Sequence, residues 1–321
     1  MTTDIKVLAA LPLYGVCKPQ FHVRLLVDGT TIKYATVDKD TFDRRWYADD
    51  KVDTIVFPEL PTGDWTWAWI SKDPESGLPS VTGHIKQPQV RGVSNVWHDT
   101  RIEYLDLEKI QVIHVEKRGC NRREDRMNLV KHPLFDGPVL MKIAEIPSHM
   151  RSVESDTAAY KAIEGTGIGP KFLGHVTEGG RVMGFLVEWI EGAREARAED
   201  KEACIAALEK LHERGVAHRD AHQGNFLIKD DRVYIIDFED SKICNDEELF
   251  FRDIDFVRRW DPSLDRSQPF IPQPTASDDE SSDWDARKST RKSTRRRTRR
   301  EMTRKRALMK KFRWLSISDW E

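Results

Sequence analysis

The chain has 321 residues, 39% hydrophobic and 33% charged, which suits a soluble globular protein of one large or two small domains with some disordered polar chain. The formal charge of −2 hides an asymmetry, because residues 287–313 hold fifteen Lys or Arg against the single Glu301, so an acidic body adjoins a basic tail. Cys17, Cys120, Cys204 and Cys244 form no C-x-x-C pair, arguing against a disulfide framework or a zinc site, and no uncharged stretch approaches the ~20 residues that span a bilayer.

The first residues, MTTDIKVLAALPLYGVC, are apolar but contain an acid near the start, so a first strand is expected rather than a signal peptide. An intracellular, reducing compartment follows as the default, cytoplasm or nucleus, with no membrane partner. Residues 1–100 read as a β-rich extension or module. Phe21 to Val27 and Thr31 to Val37 flank Asp28-Gly29-Thr30, a hairpin signal. Val52 to Phe57 is the next apolar run. Trp65, Trp67 and Trp69 alternate with Thr66 and Ala68, which predicts three rings on one strand face. Packing against a neighbouring layer is the favoured use of that row, over stacking on a sugar or base.

Residues 101–190 continue the β pattern. Arg101 to Val115 predicts two short strands or one bent one, followed by a charged turn around Gly119 and a strand through Met127 to Val130. Val139 to Ala144 is a short apolar strand interrupted by Lys142. A lysine there either snorkels at a sheet edge or contacts phosphate, and the loop described below favours phosphate. Ser152 to Ile163 has helical spacing, with Glu154 and Asp156 as candidate carboxylate partners for Lys142. Gly165 and Gly167 stop it. Phe172 to Val176 and Val182 to Ile190 read as strands around a turn at Thr177 to Gly180. Leu186, Val187 and Glu188, near the end of the second, are candidates to present backbone groups to an adenine edge.

Ala198 to Arg214 predicts a helix capped by Gly215. Then comes LHERGVAHRDAHQGNFLIKDDRVYIIDFEDS, Leu211 to Ser241, read as a helix end, a polar loop and two short strands. It contains His218-Arg219-Asp220 with Asn225 five residues after the aspartate, and Asp237-Phe238-Glu239 beyond the second strand. Phosphoryl transfer from ATP needs a carboxylate to orient and deprotonate a hydroxyl, with oxygen ligands for magnesium beside it. Asp220 is the candidate catalytic carboxylate, Asn225 and Asp237 are the candidate Mg2+ ligands, and Lys142 would neutralise phosphate oxygens. Each alone could be an ordinary turn or capping residue; their order and spacing carry the signal. His218 reads as a packed loop organiser, and His222 either holds the loop or faces the substrate. DEELFFRDIDFVRRW predicts a helix with Leu249, Phe250, Ile254 and Val257 on its apolar stripe, and Asp261-Pro262 closes the folded region. Residues 263–321 read as a disordered linker and basic tail, with 287–313 suited to a polyanion, an acidic partner or nuclear import.

On these motifs, residues 101–260 resemble the protein-kinase-like superfamily. His218-x-Asp220-x-His222-x-x-Asn225 and Ile236-Asp237-Phe238-Glu239 resemble its aminoglycoside and choline phosphotransferase branch, while Arg219 matches the H-R-D of protein kinases. Small fungal kinase-like proteins look most similar overall. The resemblance implies an α+β bilobal fold, with an N-lobe at 101–190 and a reduced C-lobe at 191–262. It assigns catalysis to Asp220, Lys142 and Asp156, the hinge to Leu186, Val187 and Glu188, and metal binding to Asn225 and Asp237. ATP and Mg2+ are the implied cofactors. The chain departs from the pattern in lacking G-x-G-x-x-G before Lys142 and an A-P-E segment. Asp156 matches the branch's helix position better than Glu154 but is one methylene shorter than the usual glutamate. The short C-lobe is similar to that of the compact kinase subunit of the tRNA-modifying KEOPS complex. The leading expectation is an ATP- and Mg-dependent phosphotransferase acting on a hydroxyl-bearing small molecule. Alternatives are a protein serine/threonine acceptor, or a catalytically weak pseudokinase that binds a partner through its tail.

Overall fold

The computed structural model describes residues 4–13, 20–42, 57–86, 91–113 and 126–260. All belong to the first of two units into which the chain divides, Met1–Pro272; the second is Gln273–Glu321. Val52 to Val56, the charged turn before Arg126 and everything beyond Trp260 lie outside the described residues.

Strands β1 (Ile5–Leu13), β2 (Gln20–Val27), β3 (Thr31–Asp38), β4 (Trp67–Lys72) and β5 (Pro79–Ile85) form one sheet in that order. Pairing is antiparallel except between β3 and β4, which run parallel. The hairpin at Asp28 and Gly29 turns through positive φ at both residues, the geometry that matches strand twist. Alternation splits the two faces of this sheet. Val23, Leu25, Val27, Ala35, Val37, Ala68 and Ile70 pack together on one side, while Tyr34 and Trp67 face the other.

The second sheet is built from β6 (Arg101–Glu103), β7 (Glu108–Val112), β8 (Met127–Lys131), β9 (Val139–Ile143), β10 (Phe172–Glu178) and β11 (Arg181–Glu188), in the order β6-β10-β11-β9-β8-β7. Only β6 and β10 are parallel. Between β9 and β10 runs helix α1 (Met150–Ala162). Sheet two is covered on both faces. Ile102, Val130, Met141, Ile143, Val176, Met183 and Leu186 pack against Tyr34 and Trp67 of the first sheet, and Phe172, Phe185 and Val187 pack against Val153, Ala159 and Tyr160 of α1. Burial on both faces explains why β11 reads as a near-continuous apolar run rather than an alternating one, and why β10 is buried along most of its length although it carries His175, Thr177 and Glu178.

The rest comprises β12 (Arg194–Glu195), α2 (Lys201–Glu213), β13 (Val216–Ala217), β14 (Phe226–Lys229), β15 (Arg232–Ile235), β16 (Lys242–Ile243) and α3 (Glu247–Arg258). Strands β12-β14-β15 form a small sheet and β13 pairs with β16. Cys204, Leu208, Phe226, Ile235, Phe238 and Val257 share one apolar cluster with the α1 face of the second sheet. The chain is an α+β fold with several mixed sheets and few helices.

Three sequence expectations change here. Trp65 precedes β4 instead of lying in it. Trp67 stacks on Tyr34 between the sheets, whereas Trp65 sits in the opposite cluster under the ammonium of Lys33, so the three rings do not share a face. Lys33 also donates to the Trp65 carbonyl at 2.6 Å, which holds the chain outside the strand there. The β10–β11 turn is tighter than expected, both strands reaching the Gly179-Gly180 pair, where only positive φ closes the hairpin. A short 3₁₀ turn at Ala198–Asp200 takes the place of the first turn of α2.

A buried ion pair joins the two sheets. Arg24 of β2 donates to Glu178 of β10 at 2.6 Å, both side chains almost wholly buried. Tyr34 donates to the other Glu178 oxygen, which also meets Arg181 at 3.3 Å. The Arg24 guanidinium lies 4.1 Å from the centre of the Tyr104 ring. Burial opposes its charge most strongly, but Glu178 together with Tyr104, Tyr34 and Glu145 outweighs burial and raises its pKa.

Candidate functional site

The loop after α2 is organised by hydrogen bonds to its backbone. Gly215 ends the helix at φ 70, and β13 brings His218 into the core. Its ring Nε2 donates to the Ile236 carbonyl at 3.0 Å and its Nδ1 accepts from the Asp220 amide at 3.3 Å, a pattern that requires the neutral imidazole. Burial lowers the His218 pKa and favours that form. Arg219 takes a left-handed φ of 69, an uncommon conformation for a long side chain. Asp253 of α3 holds the bend: its two oxygens accept the amides of His218 and Arg219, each at 2.7 Å, and one also meets the ring of His212 at 3.1 Å.

Asp220 stands half-exposed at the mouth of this loop, 3.6 Å from His222 Nε2. Asn225 is buried and its amide nitrogen donates to the Asp220 carbonyl at 2.8 Å, with its carboxylate at 3.4 Å. That spends the donor end of the amide and leaves the oxygen as its acceptor. Strands β14 and β15 turn through Asp230 and Asp231, both at positive φ, and return the chain beside the loop, where the Ile236 amide donates to the Asn225 carbonyl at 3.0 Å. Asp237 follows at φ 60, and Phe238 anchors it in the core against Tyr160 and His218.

Lys142 reaches the same place from β9. Its neighbours Met141 and Ile143 face the first sheet, so Lys142 faces α1, with Ala144 two residues on. Strand β9 is interior, which rules out the sheet-edge placement. Its ammonium lies 2.6 Å from Asp237, 2.8 Å from Asp156 and 3.4 Å from Glu239. Arg126 meets Glu239 at 3.0 Å. Burial disfavours the lysine charge, but the three carboxylates outweigh it and raise its pKa. Burial pushes Asp156 up to about 7, whereas at Asp237 and Glu239 burial is the strongest single influence but Lys142 together with Arg126 outweighs it and holds both below the usual carboxylate range. Gly184 of β11 makes the close approach possible, since a Cβ there would sit 2.4 Å from the Lys142 carbonyl oxygen.

Of the two helix candidates, Asp156 meets Lys142 and Glu154 does not. Glu154 accepts instead from the Ser94 amide, the Ser94 hydroxyl and the Asn95 amide at 2.8–2.9 Å. Leu186, Val187 and Glu188 lie in β11 between two paired strands, and the Glu188 amide donates to the Lys171 carbonyl. Their backbone groups therefore take part in the pairing of the sheet.

Beside Asp220 opens a cleft of about 270 Å³ lined by Arg219, Asp220, Ala221, Leu249, Arg252, Asp253 and Phe256. Sequence reading missed Asp253 as the residue that holds the loop. Its signal was a carboxylate between Leu249 and Val257, on the stripe that otherwise reads as apolar. Among the described residues no group of three or more His, Cys, Asp or Glu could hold a metal by itself. Asp237 and Asn225 nonetheless fit magnesium, a hard cation that takes one or two protein oxygens and fills the remaining positions with phosphate oxygens and water.

Residues 180–244 match the family described as phosphotransferase enzyme family. That span holds Asp220, Asn225, Asp237 and Glu239 and leaves Lys142 and Asp156 outside. No curated protein matches the chain. Among solved structures, the kinase PK-1 of Cydia pomonella granulovirus matches 43% of this chain and 53% of its own, at 16% identity and a TM-score of 0.33. The match thus spans about half the length of that viral chain.

Proposed function

We propose that this chain is an ATP- and magnesium-dependent phosphotransferase that moves the γ-phosphoryl group to a hydroxyl. One observation carries the reading: Lys142, delivered by the second sheet, meets Asp237 at 2.6 Å and Asp156 at 2.8 Å beside a loop that presents Asp220 and Asn225 together. The second sheet with α1 and the segment from β12 to α3 would then be the two lobes of a kinase-like fold, reduced on the second side.

Bound Mg-ATP would supply an activated phosphoryl group whose charge the metal partly neutralises. The chain's own residues do the rest. Asp237 and Asn225 would hold the metal. Lys142 would exchange its contact with Asp237 for phosphate oxygens while Asp156 keeps the ammonium in place. Asp220 orients the acceptor hydroxyl and takes its proton as the new P–O bond forms and the bond to the ADP oxygen breaks. A carboxylate suffices because the transition state is loose. An adenine edge would be met by backbone groups at the end of β11, Leu186 to Glu188, just before Glu191. The acceptor would be a small hydroxyl-bearing molecule.

Isothermal titration with Mg-ATP and an ADP-release assay over a panel of alcohols, amino alcohols and serine peptides test the proposal. Asp220→Asn should keep Mg-ATP affinity within a factor of about two and lower turnover by roughly 10²–10⁴-fold. Absence of Mg-ATP binding would sink the enzyme reading. Binding with no turnover on any acceptor would favour a scaffold, and turnover on peptides alone would favour a protein acceptor.

A further inference from the structure

Residues 91–100 lead into β6 and lie across α1. The Val93 amide donates to the Val182 carbonyl of β11 at 2.8 Å, which ties the start of the segment to the second sheet. The next two residues give Glu154 its three hydrogen bonds, from the Ser94 amide and hydroxyl and the Asn95 amide. Trp97 then donates its indole N–H to the Thr157 carbonyl at 3.0 Å and packs its ring on Phe172, 4.6 Å between centres. The amides of Trp97 and His98 both donate to His175 Nε2 on β10, at 3.3 Å each. The segment is thus pinned to the sheet at both ends and to the helix in the middle.

Where it grips the helix matters. Side chains two apart on an α-helix are separated by about 200°, so Glu154 and Asp156 point to opposite sides. The helix sits between the segment on one side and Lys142 on the other. Any rotation of α1 that withdraws Asp156 from Lys142 must also pull Glu154 off Ser94 and Asn95. Aspartate reaches one methylene less far than glutamate, so a 2.8 Å contact leaves little tolerance in the setting of the helix.

We infer that residues 91–100 are a built-in strap that sets the rotation and depth of α1 for the Lys142–Asp156 pair, with Glu154 and Trp97 as positioning residues. The strap makes the pairing a property of the folded chain instead of a consequence of ligand binding. This rests on the reading of Lys142 as the phosphate-contacting lysine, but the contact itself can be tested without nucleotide.

The test uses the full chain with Glu154→Ala and Trp97→Phe, alone and combined; the second keeps an aromatic ring beside Phe172 but removes the indole donor and part of the ring's volume. Two readouts apply: acylation of Lys142 by a small amine-reactive reagent, followed by peptide mass spectrometry, and hydrogen exchange of the amides in 150–162. Wild-type Lys142, 5% exposed, should label slowly. Loss of the charge-assisted hydrogen bonds should raise Lys142 labelling and α1 exchange by about tenfold. Glu154→Gln, which keeps one acceptor oxygen, should restore part of the protection. Leu208→Ala, a core change in α2, should lower thermal stability without speeding Lys142 labelling. Lys161→Ala, on the exposed side of α1, should change neither readout. If Glu154→Ala does not fold, Ser94→Ala removes a single hydrogen bond and should act in the same direction. Unchanged Lys142 labelling in the double variant overturns the inference, as does equal labelling in Leu208→Ala. A wild type that does not bind Mg-ATP would remove the phosphotransferase reading, while the labelling would still decide whether the strap exists.

Discussion

At the residue scale, the loop depends on a carboxylate that touches no reacting atom. Asp253 accepts two consecutive backbone amides that its bend turns inward, and Arg219 is held there at positive φ. Asp253→Ala should destabilise the chain by about 1–3 kcal/mol for each amide left without an acceptor, read by urea unfolding. Asp253→Asn keeps one carboxyl-type oxygen and should fall between the two. Arg219 would then relax out of its left-handed conformation and shift Asp220, so turnover should fall further than stability alone explains. His175 carries a different prediction. It is fully buried and its Nε2 accepts two amides of the strap, so only the neutral ring fits. Burial lowers its pKa from 6.5 to about 4. The unfolded chain therefore binds the proton first, and the stability His175 contributes is complete above pH 6.5 and is lost as pH falls toward 4. Urea midpoints measured from pH 8 to pH 4 should decline over that window, and less steeply in His175→Gln.

At the element scale, the two sheets form one layered core, and their junction includes a buried ion pair. Arg24→Ala would remove the buried cation facing Glu178 and leave only Tyr34 and Arg181 as its polar partners, a change that costs up to roughly 3–5 kcal/mol. Total stabilities of about 5–15 kcal/mol make that a large loss, measurable as a drop in melting temperature. The paired change Arg24→Met with Glu178→Leu should recover most of it, because the desolvation of both charges disappears together. An equal loss in single and paired variants would mean that packing of the sheets, and not the charge pair, is what the site contributes. Much of this architecture was readable from periodicity: β2, β3, β8, β9 and α3 fall close to where alternation or helical spacing puts them. Trp65 was not, because alternation marks a face only where the residue lies in the strand, and Lys33 holds the chain out of it.

At the scale of the whole molecule, the acidic body and the basic tail invite separate functions. We propose that residues 287–313, with fifteen basic residues and one acid, bind a polyanion, independently of the chemistry at Asp220. Affinity for a duplex nucleic acid should fall steeply and log-linearly as salt rises, and a chain ending at residue 272 should lose it while keeping Mg-ATP affinity. Salt-independent binding, or binding retained by the shorter chain, would count against the tail as the contact.

Local sequence alone singled out Asp220, Asn225 and Asp237 as a candidate set. They are carried by one loop and one hairpin, whose short spacings allow few geometries. It also sufficed to mark Lys142 as unusual, since a lysine in an apolar strand demands a partner. Which helix carboxylate would meet it was a tertiary decision. Glu154 and Asp156 are equivalent by composition, and only the family resemblance favoured Asp156. Because they differ by about 200° around the helix, it is the packing of residues 91–100 on one side and of β9 on the other that places Asp156 against Lys142 and Glu154 away from it. Asp253 was hidden for the same reason. Its partners are backbone amides of a loop 34 residues earlier, and backbone amides leave no mark in a sequence.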